Sequence, residues 1–295
     1  MTGGVLPVIP TPLTSGSFDL ASFERFLEHA LPSTDGYTLL GSTGEAPSLT
    51  TEERIEISEK ALALTPRAKS VVVGVSHTSV SEAIRLAQHA QAHGAAAVLC
   101  AAPYYFENSP AGLFGYFAAL DAALEIDLIL YDNPVATKTH VPPEWVTAWA
   151  VELEHLRAVK LTDHDLTKIP TLHAAGLEVF AGDDAILFRY LAAGVDGVMV
   201  IAPAVFPDSF RIVYDLAQSG ELDGSLEVFA REILPFLHVF GIGDEISTTK
   251  AILADIGIFT SPEVLPPLTV PAPERCRLLR AAYGLCRSAT AERLS

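Results

Sequence analysis

Eight short runs rich in β-branched residues alternate with longer helical patterns between residue 5 and about residue 203. The predicted strands are Val5–Pro10, Tyr37–Gly41, Val71–Val75, Ala97–Ala101, Asp127–Tyr131, Arg157–Leu161, Glu178–Ala181 and Gly197–Ile201. Helical patterns such as Thr51–Leu64 and Ser79–His93 separate them, and Gly94 closes the second of these. Near-continuous apolar strands between helices are typical of a parallel sheet covered on both faces. Closure of eight such units predicts a (β/α)8 TIM barrel, which takes about 250 residues.

The strand pattern stops after Pro203, and the rest of the chain is predicted to be helical. The first remaining helix would complete the eighth unit and the others would form a C-terminal addition: Ser209–Gln218, Leu222–Phe240, Ile246–Ile256 and Pro273–Leu285. We therefore predict a barrel in residues 1–220 and a helical extension in residues 221–295 packed on it. The competing architecture is an open doubly wound sheet, but Thr11-Pro12-Leu13 replaces the glycine-rich turn that binds a dinucleotide there.

The formal net charge of −17 disfavours nucleic acid and anionic membrane surfaces as partners, since both require clustered Lys and Arg. No run approaches the roughly 20 apolar residues of a membrane span. Gly4–Pro10 lacks the basic region and long apolar segment of a signal peptide, so we expect a first strand there and a cytoplasmic protein. Cys100, Cys276 and Cys286 lack metal-ligand spacing and are predicted to be buried reduced thiols.

Lys160 is the one lysine of six that lies inside a strand-like run, Leu156–Thr162. A desolvated lysine loses basicity, so a neutral amine becomes available near pH 7 to attack a carbonyl and form a Schiff base. A lysine that snorkels from a strand end, or that pairs with a carboxylate, would explain the same position. This stretch alone leaves both interpretations open.

Candidate partners for Lys160 follow the ends of other predicted strands, which meet at one mouth of a barrel. Gly41-Ser42-Thr43-Gly44-Glu45 allows a turn whose backbone N–H groups bind a carboxylate, although a simple capped turn is the alternative. Tyr131 ends the fifth strand, where its phenol could relay protons or only pack. Tyr104 and Tyr105 follow the fourth strand, and paired aromatics there are more often packing or interface residues. Together these parts suit a 2-keto acid and a reaction at the neighbouring carbon–carbon bond.

A set of short motifs in a fixed order runs along essentially the whole chain. The motifs are Thr11-Pro12, Gly41-Ser42-Thr43-Gly44-Glu45 as G-T/S-T-G-E, Ala102-Pro103-Tyr104-Tyr105 as P-Y-Y, Tyr131 to Pro134 as Y-x-x-P, Lys160 in a V-K segment, and Gly182-Asp183-Asp184 as G-D-D. In this order and spacing they resemble the dihydrodipicolinate synthase/N-acetylneuraminate lyase family of class I aldolases.

The resemblance implies that Lys160 forms the imine, that Tyr131 is the acid/base and that Thr43 belongs to the proton relay. It also implies that Tyr105 corresponds to a tyrosine that many members lend across a dimer interface. The expected substrate-binding residues are Ser42, Thr43, Gly44, Ala136, Lys138, Gly182 and Ile201, with a solvated loop lysine as the alternative for Lys138. No cofactor is expected beyond the covalent imine, and the expected assembly is a homodimer or homotetramer.

Two departures from the family pattern bear on the substrate. Ala136 stands where dihydrodipicolinate synthases place an arginine that binds the carboxylate of the aldehyde partner, and Leu161-Thr162-Asp163 replaces the E-A that follows their lysine. Pro134–Thr137 resembles the P-x-A-T form of 2-keto-3-deoxy-sugar-acid aldolases. We therefore predict a lyase that cleaves a 2-keto-3-deoxy sugar acid into pyruvate and an aldehyde. The alternatives are a synthase-like or hydratase-aldolase member with another aldehyde, and a keto-acid sensor without turnover.

Histidines and acidic residues give little support to a catalytic metal. His77 and His164 follow the third and sixth strands and could reach the mouth, but no His, Asp and Glu cluster has convincing metal-ligand spacing. The Asp183-Asp184 pair could mimic metal ligands, although capping of the following helix is the favoured role. Imine chemistry needs no metal, so none is predicted.

Overall fold

The computed structural model describes residues 3–240 and 243–295. Within these residues, eight parallel strands form one sheet in which each strand pairs with its neighbours in the chain. We number them β1 Gly4–Val5, β2 Gly36–Leu39, β3 Ser70–Gly74, β4 Ala97–Ala101, β5 Asp127–Asp132, β6 Leu156–Leu161, β7 Glu178–Ala181 and β8 Gly197–Val198. The runs predicted from β-branched residues are therefore confirmed as strands.

The sheet closes on itself. Strand β1 pairs with β8 in parallel, and just beyond β1 an isolated parallel bridge joins Val8 to Thr38 of β2. At this bridge the Ile9 N–H donates to the Thr38 carbonyl at 3.0 Å, and the Thr38 N–H donates to the Pro7 carbonyl at 2.8 Å. The predicted (β/α)8 barrel is thus confirmed, with a first strand that continues only as this bridge.

Helices cover the outside of the barrel and form the C-terminal part of the chain. They are α1 Leu20–Ala30, α2 Thr51–Leu64, α3 Val80–Ala92, α4 Pro110–Asp121, α5 Pro134–Thr137, α6 Pro143–Glu152, α7 Lys168–Ala174, α8 Leu187–Ala192, α9 Ala202–Val205, α10 Pro207–Gln218, α11 Leu222–Glu232, α12 Leu234–Leu237, α13 Glu245–Asp255 and α14 Pro273–Leu294. A short hairpin, Leu13–Thr14 with Ser17–Phe18, precedes α1, and 3-10 turns occupy Leu31–Ser33, Ala46–Ser48 and Asp184–Ile186. None of the helices in the described residues combines the length and apolar character that a bilayer crossing requires.

Two C-terminal helices differ from the sequence prediction. The single helix expected over Leu222–Phe240 is wrong, because the backbone leaves the helical region at Ile233 (φ −129°, ψ −49°) and Pro235 lies in the first turn of α12. Proline lacks an N–H and its ring disfavours a helical residue before it, so the chain stops and restarts there. Helix α14 runs to Leu294, beyond the predicted end at Leu285. The division at residue 220 stays a prediction; α11 packs on α10 and α13 packs on α9.

Helix α2 and strand β3 hold the turn that follows β2. The Thr50 hydroxyl accepts from the Glu53 N–H while the Glu53 carboxylate accepts from the Thr50 N–H, so a complete capping box starts α2 just after the 3-10 turn that follows. On the other side, a Cβ on Gly74 would lie 2.1 Å from the Leu40 carbonyl oxygen. Only glycine at position 74 allows β3 to approach the turn this closely.

A buried ion pair joins the same turn to the C-terminal helices. The Glu45 carboxylate contacts the Lys250 ammonium of α13, and both side chains are fully buried. Glu45 Oε2 also accepts from the Leu265 N–H at 2.6 Å, and Lys250 Nζ donates to the Glu263 carbonyl at 2.6 Å. A buried ion pair is tolerated when its remaining donors and acceptors are satisfied. The C-terminal region therefore fixes the turn after β2, wherever a domain boundary is drawn.

Removal of one partner from this pair is expected to destabilise the fold. Lys250→Met leaves the Glu45 carboxylate buried and unpaired, so the free energy of unfolding in urea should fall by about 3–5 kcal/mol. Lys250→Met combined with Glu45→Gln removes both charges and should recover part of the loss. Lys60→Met, which breaks the exposed pair with Glu56, is the control and should change little. A Lys250→Met protein as stable as Lys60→Met would contradict this account.

Candidate active site

Lys160 lies on β6 with its side chain inside the mouth of the barrel. The residue is only 4 % exposed, and its Nζ lies 4.3 Å from the centre of the Tyr131 ring. The two residues are direct partners in the pairing of β5 with β6, so the strand register sets this contact. Among the described residues, no carboxylate lies within ion-pair distance of the amine. Neither a solvated strand end nor an acid partner accounts for this lysine.

Two other lysines are buried, which the sequence did not indicate. Lys168 contacts the carboxylates of Asp132, at 2.6 Å, and Asp163, while Lys250 contacts Glu45. Burial lowers the pKa of Lys168, but hydrogen bonds and charge interactions with the two carboxylates outweigh burial and raise it. Burial lowers the pKa of Lys250 in spite of Glu45, yet Lys250 lines neither of the two cavities described below.

The Tyr131 phenol is held in a position suited to proton transfer. Asn133 Nδ2 donates to the phenolic oxygen at 3.0 Å. Burial alone would raise the pKa of Tyr131, but the Lys160 ammonium and then the side chains of Thr162, Ser42 and Asn133 outweigh burial and lower the pKa. A phenol with a lowered pKa gives up its proton more readily than an ordinary tyrosine, so it can exchange protons with a substrate.

The turn after β2 offers backbone donors. The N–H groups of Ser42, Thr43 and Gly44 have no acceptor among the described residues, whereas the Glu45 N–H donates to the Ser42 carbonyl at 3.0 Å. Thr11 Oγ1 donates to the Gly44 carbonyl at 2.6 Å and fixes the turn from the other side. Successive free N–H groups in such a turn form an anion-binding nest. Gly44 itself is buried, and a Cβ there would lie 2.9 Å from the Leu40 backbone.

One cavity of about 390 Å³ brings most of the predicted residues together. Its lining includes Ser42, Thr43, Tyr131, Lys160, Gly182 and Ile201. A Cβ on Gly182 would lie 2.9 Å from Lys160 Cε and 2.7 Å from Thr162 Oγ1, so glycine leaves room for the lysine chain. Phe240 and Ile246 line the cavity from the C-terminal region. The volume lies in the range of small-molecule sites.

The acidic pair after β7 supports the mouth through backbone contacts. Asp183 accepts from the Ala185 N–H at 2.8 Å and contacts His164 Nε2 at 2.9 Å. The Asp184 carboxylate accepts from the Ile201 and Ala202 N–H groups, both at 2.8 Å, and lines the cavity. Burial raises the pKa of Asp184 to about 6, although these two N–H groups oppose the rise. Asp183 thus caps the 3-10 turn Asp184–Ile186, and Asp184 caps the start of α9 beside Ile201.

A second chamber of about 120 Å³ shares Ser42 and Tyr131 with this cavity. It is lined by Ala136 and by Arg54, which the sequence analysis did not single out. The Arg54 guanidinium donates to the carbonyls of Gly74 and Ser76, both at 3.0 Å, and its Nε is buried without a hydrogen-bond partner among the described residues. Burial lowers the pKa of Arg54 to about 10.

A sequence signal for Arg54 exists in retrospect. Arg54 shares one face of α2 with Ile57, Ser58 and Ala61, and all four residues are buried. Residues spaced three, four and seven positions apart lie on the same helical face. An arginine in a core-facing stripe therefore indicates a guanidinium that reaches a buried acceptor.

Three of the predicted site residues line neither cavity: Gly44, Lys138 and Tyr105. Lys138 is exposed, its backbone is left-handed (φ 57°), and its Nζ donates to the Val135 carbonyl at 2.7 Å. The Lys138 ammonium thus caps the last turn of the short helix α5, and its role in substrate binding stays a prediction. Tyr105 is 88 % exposed with φ 93°, so its phenol cannot act in the cavity of its own chain.

An amine on a barrel strand that faces a phenol and a set of free amides defines the class I aldolases, which are lyases, and the protein is of this class. The model of the Dihydrodipicolinate synthetase family matches residues 1–282, and the chain belongs to this family.

Individual relatives agree with this assignment. The chain is 30 % identical over 232 residues to the 4-hydroxy-tetrahydrodipicolinate synthase of Thermosipho melanesiensis, which covers 78 % of this chain and 80 % of the relative. The structure of the 4-hydroxy-tetrahydrodipicolinate synthase from Methylacidiphilum fumariolicum superposes with a TM-score of 0.92 at 25 % identity and covers 98 % of this chain and 97 % of the other. The dihydrodipicolinate synthase of Thermotoga maritima gives a TM-score of 0.90 at 26 % identity and covers 98 % and 99 % of the two chains.

Proposed function

We propose that the protein forms an imine between Lys160 and pyruvate or a pyruvate-derived 2-keto acid. The observation that carries this proposal is the buried Lys160 amine, which has no acid partner among the described residues and lies against the Tyr131 ring. Lys168 and Lys250 each contact a carboxylate, whereas no carboxylate of the described residues lies within ion-pair distance of Lys160. An amine of this kind at the mouth of a barrel is suited to attack on a carbonyl carbon.

Lys160 and the groups around it have separate roles in the proposed reaction. Lys160 Nζ attacks C2 of the keto acid, and the carbonyl oxygen leaves as water after it has received protons, which gives the imine. The free N–H groups of Ser42, Thr43 and Gly44 bind the carboxylate of the keto acid. Tyr131, with a pKa lowered mainly by Lys160 against the effect of burial, takes and returns protons. In cleavage the imine accepts the electron pair of the carbon–carbon bond that breaks, which releases the aldehyde and leaves an enamine that is then protonated on carbon. In condensation the imine first loses a proton from the neighbouring carbon, and the resulting enamine donates its electron pair to the carbonyl carbon of the aldehyde.

The names of the relatives favour a synthase as one candidate for the overall reaction. The relatives described above carry the name 4-hydroxy-tetrahydrodipicolinate synthase or dihydrodipicolinate synthase. Transferred to this chain, that name gives a condensation of pyruvate with an aldehyde that carries a carboxylate. Arg54 lines the second chamber and could face such a carboxylate there, but its guanidinium already donates to the Gly74 and Ser76 carbonyls.

The lining of the second chamber favours the other candidate, cleavage of a 2-keto-3-deoxy sugar acid. Ala136 presents a methyl group where a synthase would present the guanidinium that binds the aldehyde carboxylate. The polar side chains of Ser76, Asn133 and Thr137 line the same chamber and carry no charge. A chamber of this composition suits the hydroxyls of an aldehyde derived from a sugar better than a second carboxylate.

The imine is tested by borohydride reduction in the presence of pyruvate. We expect a reduced adduct on Lys160 in the wild type, none in Lys160→Ala, and an unchanged adduct in the control Lys138→Ala, as read by mass spectrometry of tryptic peptides. Tyr131→Phe should still trap pyruvate but lose roughly 10²–10⁴-fold in turnover, because only proton transfer is removed. An adduct on Lys168 or Lys250, or no adduct at all, would contradict the proposal.

The aldehyde is tested by a panel assayed in both directions. We expect wild-type enzyme to release pyruvate from 2-keto-3-deoxy sugar acids, and Ala136→Arg to reduce this cleavage by roughly tenfold or more because a guanidinium fills the chamber. Ala136→Gly is the matched control and should retain cleavage. If the wild type instead condenses pyruvate with a carboxylate-bearing aldehyde faster than it cleaves any sugar acid, the synthase candidate replaces the sugar-acid candidate.

We also propose a homodimer or homotetramer. Tyr104, Tyr105 and Phe106 are 43 %, 88 % and 78 % exposed, and they form a contiguous aromatic segment beside the second chamber. Aromatic residues are enriched at the centres of protein interfaces. Sedimentation equilibrium at micromolar concentration should give a mass that is a multiple of 31.5 kDa, and Tyr105→Asp combined with Phe106→Asp should lower it. A wild-type mass of 31.5 kDa alone would rule out the assembly.

A cytoplasmic location stays a prediction, supported by three free cysteines, of which Cys276 is only half-buried.

A further inference from the structure

Three potential metal ligands meet on the outer surface of the barrel, on the neighbouring helices α2 and α3. Glu59 lies on α2, His89 lies on α3 and His93 directly follows α3. One ligand atom from each residue lies within 4.8 Å of the other two. His89 Nε2 is 3.8 Å from Glu59 Oε2, and the two imidazole rings stack with centres 4.0 Å apart. None of these residues lines the cavity or the second chamber.

Neighbouring hydrogen bonds fix which ring nitrogens are free. His93 Nδ1 lies 2.8 Å from the His89 carbonyl oxygen, which can only accept, so this nitrogen carries the proton and Nε2 carries the lone pair. The Ser58 hydroxyl donates to the Ile55 carbonyl at 2.9 Å, so its oxygen can accept from His89 Nδ1 at 3.4 Å. His89 therefore also presents the lone pair of Nε2. A metal-binding histidine ordinarily donates its other ring N–H to a carbonyl or similar acceptor, as both rings do here.

The geometry leaves two acceptors facing each other without a donor between them. The His89 Nε2 lone pair and the Glu59 carboxylate oxygen are too far apart for a hydrogen bond, and both are electron-rich. A metal ion placed between them would contact both lone pairs.

We propose that Glu59, His89 and His93 bind a divalent transition-metal ion of the Zn²⁺ type, which links α2 to α3. Imidazole nitrogens with one carboxylate suit Zn²⁺, Ni²⁺ and Cu²⁺, whereas Mg²⁺ and Ca²⁺ require oxygen ligands. Zn–N and Zn–O distances of about 2.0–2.2 Å place the ligand atoms of a tetrahedral site roughly 3.3–3.6 Å apart. Glu59 and His89, at 3.8 Å, would approach by less than about 0.5 Å, and pairs that lie up to 4.8 Å apart would approach by up to about 1.5 Å. Three protein ligands leave a fourth position for water. The ion has no role in imine chemistry at Lys160, so the site is independent of the proposed function.

The three residues show no metal-ligand spacing in the sequence because Glu59 lies far along the chain from the two histidines. His89 and His93 are spaced by one helical turn, which places both rings on the same face of α3. The third ligand comes from the preceding βα unit, and only the packing of α2 against α3 brings Glu59 to the pair. A spacing of four between histidines indicates at most a two-ligand site.

The test is a titration of the untagged, chelator-stripped protein with ZnCl₂, followed by isothermal calorimetry and by the thermal unfolding midpoint. We expect one Zn²⁺ per chain, a midpoint that rises with Zn²⁺ but not with Mg²⁺, and an affinity lowered roughly tenfold or more in both His93→Ala and Glu59→Gln. His140→Ala, which removes another exposed histidine, should bind as the wild type does.

Co²⁺ substitution gives a second readout that does not depend on stability. Visible absorption of a four-coordinate Co²⁺ complex should appear in the wild type and vanish in His93→Ala. Equal Zn²⁺ binding in the wild type, His93→Ala and Glu59→Gln would overturn the proposal, as would the absence of stoichiometric binding below millimolar Zn²⁺. Pyruvate trapping on Lys160 should be the same before and after removal of metal, so a failure of trapping would concern the proposed function and not this site.

Discussion

A lysine ammonium inside a protein requires an acid or several acceptors against it, and the barrel depends on how this requirement is met. Lys168 and Lys250 are each buried with carboxylates, while Lys160 is buried against the ring of Tyr131. The face of an aromatic ring attracts a cation but accepts no proton from it. The structure thus contains two buried lysines that are paired with carboxylates and one, Lys160, whose amine has no acid partner among the described residues. Burial alone does not distinguish them; their partners do.

The ion pairs of Lys168 and Lys250 also hold the groups that surround Lys160 in position. Lys168 binds the side chain of Asp132, the residue that follows Tyr131 on β5, and so anchors the strand end that carries the phenol. Lys250 binds Glu45, the last residue of the turn whose amides face the cavity. The carboxylate of each ion pair therefore belongs to a residue that is adjacent in the chain to a group proposed to contact the substrate. Groups placed in this way reduce the motion that a reactive geometry would otherwise permit.

The local sequence pattern was enough to predict the barrel, because the alternation of apolar strands and helices repeats along the chain. The different periods of strands and helices can be read directly from the sequence. The ends of β4 and β7 and the bounds of α2 agree with the prediction to the residue. The position of Lys160 on its strand also followed from local pattern. Long-range pairing did not, because no local signal connects Glu45 with Lys250 or Asp132 with Lys168. Arg54 falls between the two cases: its helical face was readable, whereas the carbonyls that it binds belong to another unit.

The short helix α5 connects proton transfer with substrate choice. Asn133 donates from Nδ2 to the Tyr131 phenol, and its Oδ1 accepts from the Ala136 N–H at 3.2 Å. One side chain therefore positions both the proposed acid/base and the residue that faces the second chamber. A change in the conformation of this turn would alter the pKa of Tyr131, which depends in part on Asn133, together with the space available to the aldehyde. We therefore expect a substitution at Ala136 to change the substrate range without loss of proton transfer only if the new side chain leaves the backbone of this turn in place. The Tyr131 phenol then also keeps its position.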